Sequence, residues 1–191
     1  MNPENYASIC YIMKNAAMVA GDTLMEGGDH REASALMLDE LMSGWESGGY
    51  GDVLVWSDAL AMPTMARRTA DGFVLDDAMA SAAGCSGPCF AVSSMGTDML
   101  ERGLFDVGIS LAFLEDGQLR AAVVYDPVHV ELFHAVYGMG AYLNGKRIEP
   151  SKTSGMAETV VSLDHAALLS KEVSGLLDAA GQIRVSPVAA L

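Results

Sequence analysis

The side chains best suited to chemistry are a small group of carboxylates in the first half of the chain. Asp71, Asp76 and Asp77 lie close together in the sequence, and carboxylate oxygens are the ligands that hard cations such as Mg²⁺ prefer. The group could hold a divalent cation, and the alternative is a solvated turn. His129 and His134 are not expected to share a metal, because their spacing along a strand would point them to opposite faces. No G-x-S-x-G sequence predicts a serine nucleophile.

The composition predicts a folded protein with an acidic surface. Of the 191 residues, 51% are hydrophobic and 19% are charged, whereas disordered chains are poor in apolar residues and rich in charge. The formal net charge of −14 repels phosphate backbones, so we expect no nucleic-acid partner. The acidic excess suits a protein that binds divalent cations, and it also suits a solvated surface that aids solubility.

The cysteine count and the hydropathy predict a cytoplasmic protein. Cys10, Cys85 and Cys89 are an odd number and make no disulfide framework. We expect them to be buried free thiols in a reducing compartment. The first residues lack the basic and apolar regions of a signal peptide, and no run of 18 or more residues is free of polar groups. No membrane segment is therefore expected.

Periodic apolar residues predict two helices at the start of the chain, over residues 6–26 and 30–45. Asp29 is the expected N-cap of the second helix, with Glu32 at the capping-box offset. Residues 62–70 are expected to form a short helix or a loop. Short strands are predicted over residues 52–56, 73–75 and 89–92.

The second half of the chain predicts an antiparallel meander. Its β-type runs cover residues 107–114, 118–125, 130–137 and 141–143. Turn sequences separate several of these runs, namely Glu115-Asp116-Gly117, Asp126-Pro127 and Asn144-Gly145. After residue 150 the pattern changes to a β-α-β order, over residues 159–163, 166–180 and 183–185.

This change of pattern predicts two domains. Residues 1–152 should form an α+β domain, and residues 153–191 a partial α/β subdomain. Two strands and one helix are thin for independent stability. We therefore expect that the subdomain is truncated, or that the first half of the chain or a second subunit covers it.

Residues 123–148 carry a specific likeness to a known family. They contain Tyr125-Asp126-Pro127, Glu131-Leu132-Phe133, Gly138, Gly140, Ala141 and Leu143-Asn144-Gly145. In order and spacing these residues resemble the inositol monophosphatase family, which belongs to the metal-dependent phosphatase superfamily that includes fructose-1,6-bisphosphatase. Residues 102–116 and 30–41 resemble a strand and an early helix of the same family. The resemblance implies helices packed on an antiparallel sheet, and the matching residues indicate fold rather than chemistry.

The resemblance also implies where the chemistry should lie. The family's D-P-[IL]-D-G-T signature holds catalytic Mg²⁺ through its two aspartates, and amides of its Gly-Thr help to bind the substrate phosphate. Gly96 and Thr97 align with the Gly-Thr and are the implied phosphate-binding residues. Val92 and Met95 stand at the aspartate positions. Valine has no ligand atom and the methionine thioether is soft, so neither side chain suits Mg²⁺.

Other carboxylates could replace the missing ligands. The family's upstream Glu-Glu pair has two candidate counterparts, Asp77 and Asp58, and we favour Asp77 because an apolar strand leads directly into it. Asp98 is a second substitute ligand, and His30 stands near a family aspartate at a helix start. The alternatives are structural, with Thr97 as a plain N-cap and Asp98 as an acidic residue that favours the helix dipole. A further family aspartate lies in a C-terminal W-D motif without a counterpart in these residues.

Two functions follow from the resemblance. We expect a degenerate inositol monophosphatase-like protein of α+β fold, without efficient Mg²⁺-dependent phosphatase activity and with a binding or assembly role as a homo-oligomer. A small phosphorylated molecule is the expected ligand. The alternative is an active Mg²⁺-dependent phosphatase that hydrolyses a small phosphate monoester, such as an inositol or sugar phosphate, with Asp77 and Asp98 as substitute metal ligands.

Overall fold

The computed structural model describes residues 1–57, 64–69, 72–75, 86–96, 107–163 and 173–185. The chain divides into two compact units, Met1–Ile148 and Glu149–Leu191. The sequence-based division after residue 152 is close to this point and remains a prediction about domain organisation.

Two helices open the first unit, α1 over Pro3–Met25 and α2 over His30–Ser47. Both begin at a side-chain cap, because an unpaired backbone N–H at a helix start needs an acceptor. Asn2 accepts a hydrogen bond from the Asn5 amide, and Asp29 accepts one of 2.9 Å from the Glu32 amide. The predicted helices and the predicted Asp29 cap are therefore confirmed.

Nine strands of the first unit form one sheet in the described part of the chain, in the order β3-β2-β1-β4-β5-β6-β7-β8-β9. The strands are β1 (Val53–Ser57), β2 (Thr64–Thr69), β3 (Gly72–Leu75), β4 (Pro88–Met95), β5 (Gly108–Glu115), β6 (Gln118–Asp126), β7 (Glu131–Val136), β8 (Gly140–Leu143) and β9 (Lys146–Ile148). The pairs are antiparallel except β1 with β4, which run parallel. The predicted α+β class is confirmed, and the sheet is mixed rather than purely antiparallel.

Three strand predictions need correction. Residues 62–70 were expected to form a short helix or a loop, but Thr64–Thr69 is strand β2, because it pairs with β1 on one side and β3 on the other. Strand β4 continues to Met95, beyond the predicted end at residue 92, because each of its residues finds a partner on β5. Strand β9 was not predicted, and it forms because the Asn144-Gly145 turn folds Lys146–Ile148 back onto β8.

The core of the first unit lies between the two helices and one face of the sheet. Its centre is an aromatic cluster formed by Trp45 of α2, Phe90 of β4 and Phe113 of β5. The ring centroids lie 5.3 Å (Trp45–Phe90), 5.7 Å (Trp45–Phe113) and 5.2 Å (Phe90–Phe113) apart. The Trp45 indole donates a 2.7 Å hydrogen bond to the Gly51 carbonyl, which satisfies its polar group inside the core.

Helix α1 lies against β6 at a position that admits only glycine. A β-carbon on Gly21 would lie 2.5 Å from Cε1 of Tyr125 and 3.0 Å from Cβ of Pro127. The Tyr125 side chain is almost fully buried by this contact. The end of α1 is thus fixed against the carboxyl end of β6.

Two turns are joined by one side chain, that of Asn144. Its Nδ2 donates to the Val130 carbonyl at 3.0 Å, and its Oδ1 accepts from the Leu132 amide at 2.9 Å. These bonds hold the chain between β6 and β7 beside the turn between β8 and β9. Val130 has a φ of +54°, a left-handed conformation that a β-branched residue adopts at a cost.

The second unit contains a parallel pair, β10 (Val160–Leu163) and β11 (Gln182–Val185), with helix α3 (Ser174–Ala179) between them in sequence. A 3₁₀ turn over Met156–Glu158 precedes β10. The predicted β-α-β order is confirmed, and the described part of the predicted 166–180 helix is helical over 174–179. No helix in the described residues combines the length and apolar character that crossing a membrane requires.

Replacing Val130 with asparagine should stabilise the first unit by about 1 kcal/mol, because asparagine tolerates the left-handed region that costs valine ~1–2 kcal/mol. Little burial is lost, since Val130 is 64% exposed. Urea unfolding measures the change. The matched control is Val160→Asn, which is 60% exposed in an extended strand and should bring no gain. A lower unfolding midpoint for Val130→Asn would mean that the left-handed conformation of Val130 does not destabilise the protein.

Candidate active site

Several elements end together at one end of the sheet. Ser57, the last residue of β1, pairs with Val92 of β4, and Met95, the last residue of β4, pairs with Gly108 of β5. Tyr125, near the end of β6, lies opposite Ile109 of β5. We call this the α2 end of the sheet, because the first residue of α2 also reaches it. Carboxyl ends of adjacent parallel strands are common places for ligand sites.

The central contact at the α2 end joins a histidine to a serine. Nδ1 of His30, the first residue of α2, lies 3.0 Å from Oγ of Ser94 on β4, and both side chains are half-buried. The Asp29 cap directly precedes His30, and the hydrogen bond from the Glu32 amide holds the pKa of its carboxyl below the usual range. A hydroxyl and an imidazole beside a helix N-terminus can donate hydrogen bonds to an oxyanion or exchange a proton with it.

Val92 has its side chain in the core rather than at the surface of this end. It is 1% exposed and packs in the cluster that also contains Phe90. The two residues alternate with Ala91 along β4, so both point toward the helices. Position 92, which the sequence resemblance aligns with the first aspartate of the family signature, therefore carries a buried apolar side chain.

Of the predicted site residues, the structure describes Gly96. It follows β4 directly and has a φ of +74°, a conformation that glycine adopts freely. Thr97, Asp98 and Asp77 lie outside the described residues, as do Asp58, Asp71 and Asp76. The structure therefore neither brings these residues together nor separates them.

The sheet order bears on the two carboxylate candidates that follow strands. Strand β1, which directly precedes Asp58, is the neighbour of β4. Strand β3, which directly precedes Asp76-Asp77, is separated from β4 by β2 and β1. Three strand spacings of about 4.8 Å put the end of β3 about 14 Å from β4. The last residue of β1, Ser57, is therefore much closer to β4 than the last residue of β3, Leu75.

The α2 end also holds described carboxylates. Burial raises the pKa of the Tyr125 hydroxyl, with contributions from the nearby Asp22 and Asp126 carboxylates. The Asp126 carboxylate makes its contacts within the turn that follows β6. Its Oδ1 accepts hydrogen bonds from the Val128 and His129 amides, and its Oδ2 lies 2.7 Å from Nδ1 of His129. In the described residues, no three His, Cys, Asp or Glu side chains are arranged to hold a metal ion.

His129 and His134 have different partners. His129 lies in the turn before β7 and contacts Asp126, whereas His134 lies within β7 and stacks on Tyr142 with 5.1 Å between the ring centroids. Burial, followed by the charge of Lys14, lowers the pKa of His134. The expectation that the two histidines do not act as a pair agrees with these contacts, although His129 belongs to the turn and not to the strand.

The pairing of His30 with Ser94 was not predicted. The capping signal at Asp29 predicts that His30 stands at a helix start, because that signal lies in neighbouring residues. Ser94 lies 64 residues further on, and no local pattern distinguishes it from its neighbour Ser93. Only the parallel pairing of β1 with β4 and the packing of α2 on β4 bring the two side chains together.

Comparison with known proteins shows which family part of this chain resembles. The model of the inositol monophosphatase family matches residues 102–182. Inositol-1-monophosphatase of Bacillus subtilis is 36% identical over 56 residues, which are 29% of this chain and 21% of that protein. The fructose-1,6-bisphosphatase/inositol-1-monophosphatase of Thermotoga maritima is 39% identical over 67 residues, 35% of this chain and 26% of that protein. The matched segments thus span about a fifth to a quarter of these relatives.

The fold has close counterparts among solved structures. The inositol monophosphatase from Anabaena superposes with a TM-score of 0.70 over 96% of this chain and 68% of that one, at 19% identity. At that identity the superposition shows the shared fold alone. The chain thus shares the fold of these structures, with helices on a mixed, mostly antiparallel sheet. Residues 102–182 carry a sequence likeness to the inositol monophosphatase family, and the predicted resemblance to that family is confirmed.

Replacing Ser94 with alanine should change the tautomer balance of the His30 imidazole, because its Nδ1 loses the partner at 3.0 Å. Long-range ¹H–¹⁵N NMR spectra of the histidine rings measure this, and we expect a shift of the His30 Nδ1 signal. The His129 ring, which contacts Asp126, should not change. Ser47→Ala at the other end of α2 is the matched control. An unchanged His30 signal would mean that the contact does not form in solution.

Proposed function

We propose that this chain binds a small phosphorylated ligand at the α2 end of its sheet and lacks efficient Mg²⁺-dependent phosphatase activity. The observation that carries the proposal is the burial of Val92 in the core at the position of the first signature aspartate. A metal ligand there would have to present oxygen at the surface of the site. The apolar side chain serves the packing of β4 against the helices instead.

Two described side chains of the α2 end could donate hydrogen bonds to an anion. His30 and Ser94 carry hydrogen-bond donors, and the N-terminus of α2 carries a partial positive charge. Gly96, directly after β4, has a φ of +74°, and glycine adopts such a conformation freely where a backbone loop approaches a phosphate. Mg²⁺ prefers carboxylate and water oxygens in an octahedral arrangement, which Val92, Ser94 and His30 do not provide.

We also propose a binding or assembly role, in which copies of this chain associate. The β10–β11 sheet of the second unit exposes Val160 at 60% and Ile183 at 45%. A second copy of the chain would cover such a surface, so we propose a homo-oligomer. We propose a cytoplasmic location as well, because Cys10 and Cys89 are buried free thiols. Burial raises the pKa of the Cys10 thiol to about 11, which keeps it protonated and unreactive.

The second candidate function is an active Mg²⁺-dependent phosphatase with substitute ligands. The observation that favours it is the parallel pairing of β1 with β4, since β1 ends at Ser57, immediately before Asp58. The resemblance implies an upstream pair of acidic metal ligands, for which Asp58 and Asp77 are the candidate counterparts. Asp58 follows the strand that pairs with β4, Asp77 is the counterpart favoured from the sequence, and Asp98 is the further substitute. The substrate class would be small phosphate monoesters.

A phosphate-release assay separates the two functions. Inositol and sugar phosphates are incubated with the full chain, with Mg²⁺ and with a chelator. We expect no metal-dependent turnover, because position 92 supplies no metal ligand. The sample must be folded, which the NMR spectrum of the same preparation shows. Metal-dependent release of phosphate would overturn the proposal and establish the second candidate.

Thermal unfolding with Mg²⁺ or Mn²⁺ tests the metal site directly, because a ligand that binds the native state stabilises it by mass action. We expect no rise in Tm at millimolar metal. If a rise occurs, Asp58→Asn and Asp77→Asn identify which carboxylate carries it, and Asp39→Asn, on the exposed face of α2, is the control. A rise that Asp58→Asn abolishes would favour the active phosphatase.

A further inference from the structure

Helix α1 carries a row of large apolar side chains on its exposed side. Tyr11, Met18 and Met25 are 61%, 45% and 46% exposed. They stand seven residues apart, which is about two helical turns, so they follow one another along one face of the helix. We call these three residues the α1 row. The row is about 21 Å long, because each residue of a helix adds about 1.5 Å.

The opposite face of α1 packs in the core of the first unit. Ile9, Met13 and Ala20 of that face are buried in the cluster that also contains residues of α2 and the sheet. The α1 row is therefore a second apolar face, and no element in the described part of the chain covers it. Single apolar side chains are common on protein surfaces, but several of them on one face are typical of a contact surface.

Two opposite charges flank the middle of the row. Lys14 lies four residues before Met18 and Asp22 four residues after it, so both stand within about 40° of Met18 around the helix. The Lys14 ammonium lies 5.6 Å from the ring centroid of Tyr11, which keeps its charge beside the row. The two charges are about 12 Å apart along the helix, too far to pair with each other. Neither forms an ion pair with another described residue.

The row and its charges have the same pattern in both directions from Met18. When two antiparallel copies of α1 are related by a two-fold axis at Met18, residues at equal distances before and after Met18 face each other. Tyr11 then faces Met25 of the second copy, and the two Met18 side chains face each other. Lys14 faces Asp22 of the second copy, and the symmetry repeats this pair. The surface is therefore complementary to itself in both shape class and charge.

We propose that the α1 row is a homodimer interface, in which two copies of the chain pair their α1 helices antiparallel about Met18. Two chains with a net charge of −14 repel each other. The two Lys14–Asp22 pairs oppose that repulsion at the place where the apolar side chains meet. The same net charge also repels an anionic bilayer, so a second copy suits the row better than a membrane surface does. This interface gives a location to the homo-oligomer of the proposed function and rests on that association.

The contact is small, and we therefore expect a dimer that dissociates on dilution. Its footprint is about 21 Å long and about 10 Å wide, the diameter of one helix. Standard interfaces bury about 800 Å² on each partner, whereas weak and transient ones bury less. Met side chains adapt their shape to a partner, which suits a contact that forms and breaks.

Sedimentation velocity of the full chain over a range of concentrations tests whether it associates. Between about 5 μM and about 1 mM the average sedimentation coefficient should rise from that of a monomer toward that of a dimer. A chain that remains monomeric throughout would overturn this interface and the proposed homo-oligomer together.

Charge reversal locates the contact. Lys14→Glu alone and Asp22→Lys alone should each weaken association about tenfold or more, because each places like charges opposite each other twice in the dimer. A mixture of these two variants should associate again, since Glu at position 14 then faces Lys at position 22 and Asp22 faces Lys14. The control variants Lys152→Glu and Asp52→Lys change the net charge equally at exposed positions outside α1, and each should associate as the unaltered chain does.

Replacing Met18 with glutamate tests the axis itself. Met18→Glu should abolish the dimer, because it places two carboxylates against each other at the two-fold axis. Met156→Glu, at a 39% exposed methionine of the second unit, should leave association unchanged. Association that persists in Met18→Glu, or that the mixture of charge variants does not restore, would overturn the α1 interface. The homo-oligomer would then remain with a contact elsewhere, such as the β10–β11 surface.

Discussion

The aromatic cluster of Trp45, Phe90 and Phe113 is the contact on which the rest of the first unit depends. It links α2 to β4 and β5 within 6 Å between ring centroids. Because Phe90 and Val92 face the same way along β4, the packing that buries the cluster also buries position 92. The N-terminus of α2 meets the end of β4 through a separate contact, between His30 and Ser94. The packing of the apolar core thus determines how the side chain at position 92 of the candidate site is placed.

Much of the fold could be predicted because its strongest signals are local. Asp29 marks the start of α2, and Asn144-Gly145 and Asp116-Gly117 mark turns, through side-chain and glycine geometry that neighbouring residues suffice to define. Strand β2 was missed because MPTMARRTA has no strand periodicity of its own. Its strand conformation comes from hydrogen bonds to β1 and β3, which are tertiary contacts.

The candidate site was only partly predictable for the same reason. The family signature singled out Val92 as a residue without a ligand atom and implied Gly96 as a phosphate-binding residue, but the predicted strand ended at residue 92 rather than at Met95. The contact of His30 with Ser94 depends on two segments that are far apart in sequence, and no local rule connects them. Likewise, the burial of Val92 follows from which face of β4 meets α2, and alternation along a strand does not specify that face until the packing is known.

The parallel pairing of β1 with β4 sets an order of events for folding. The meander from β5 to β9 is made of neighbouring strands joined by short turns, and such local contacts close at small entropic cost. Leu54 and Cys89, by contrast, are paired across 35 residues (89 − 54), with two further strands between them in the chain. Contacts of long sequence separation form slowly. We therefore expect the pairing of β1 with β4, and with it the contact of His30 with Ser94, to form after the meander.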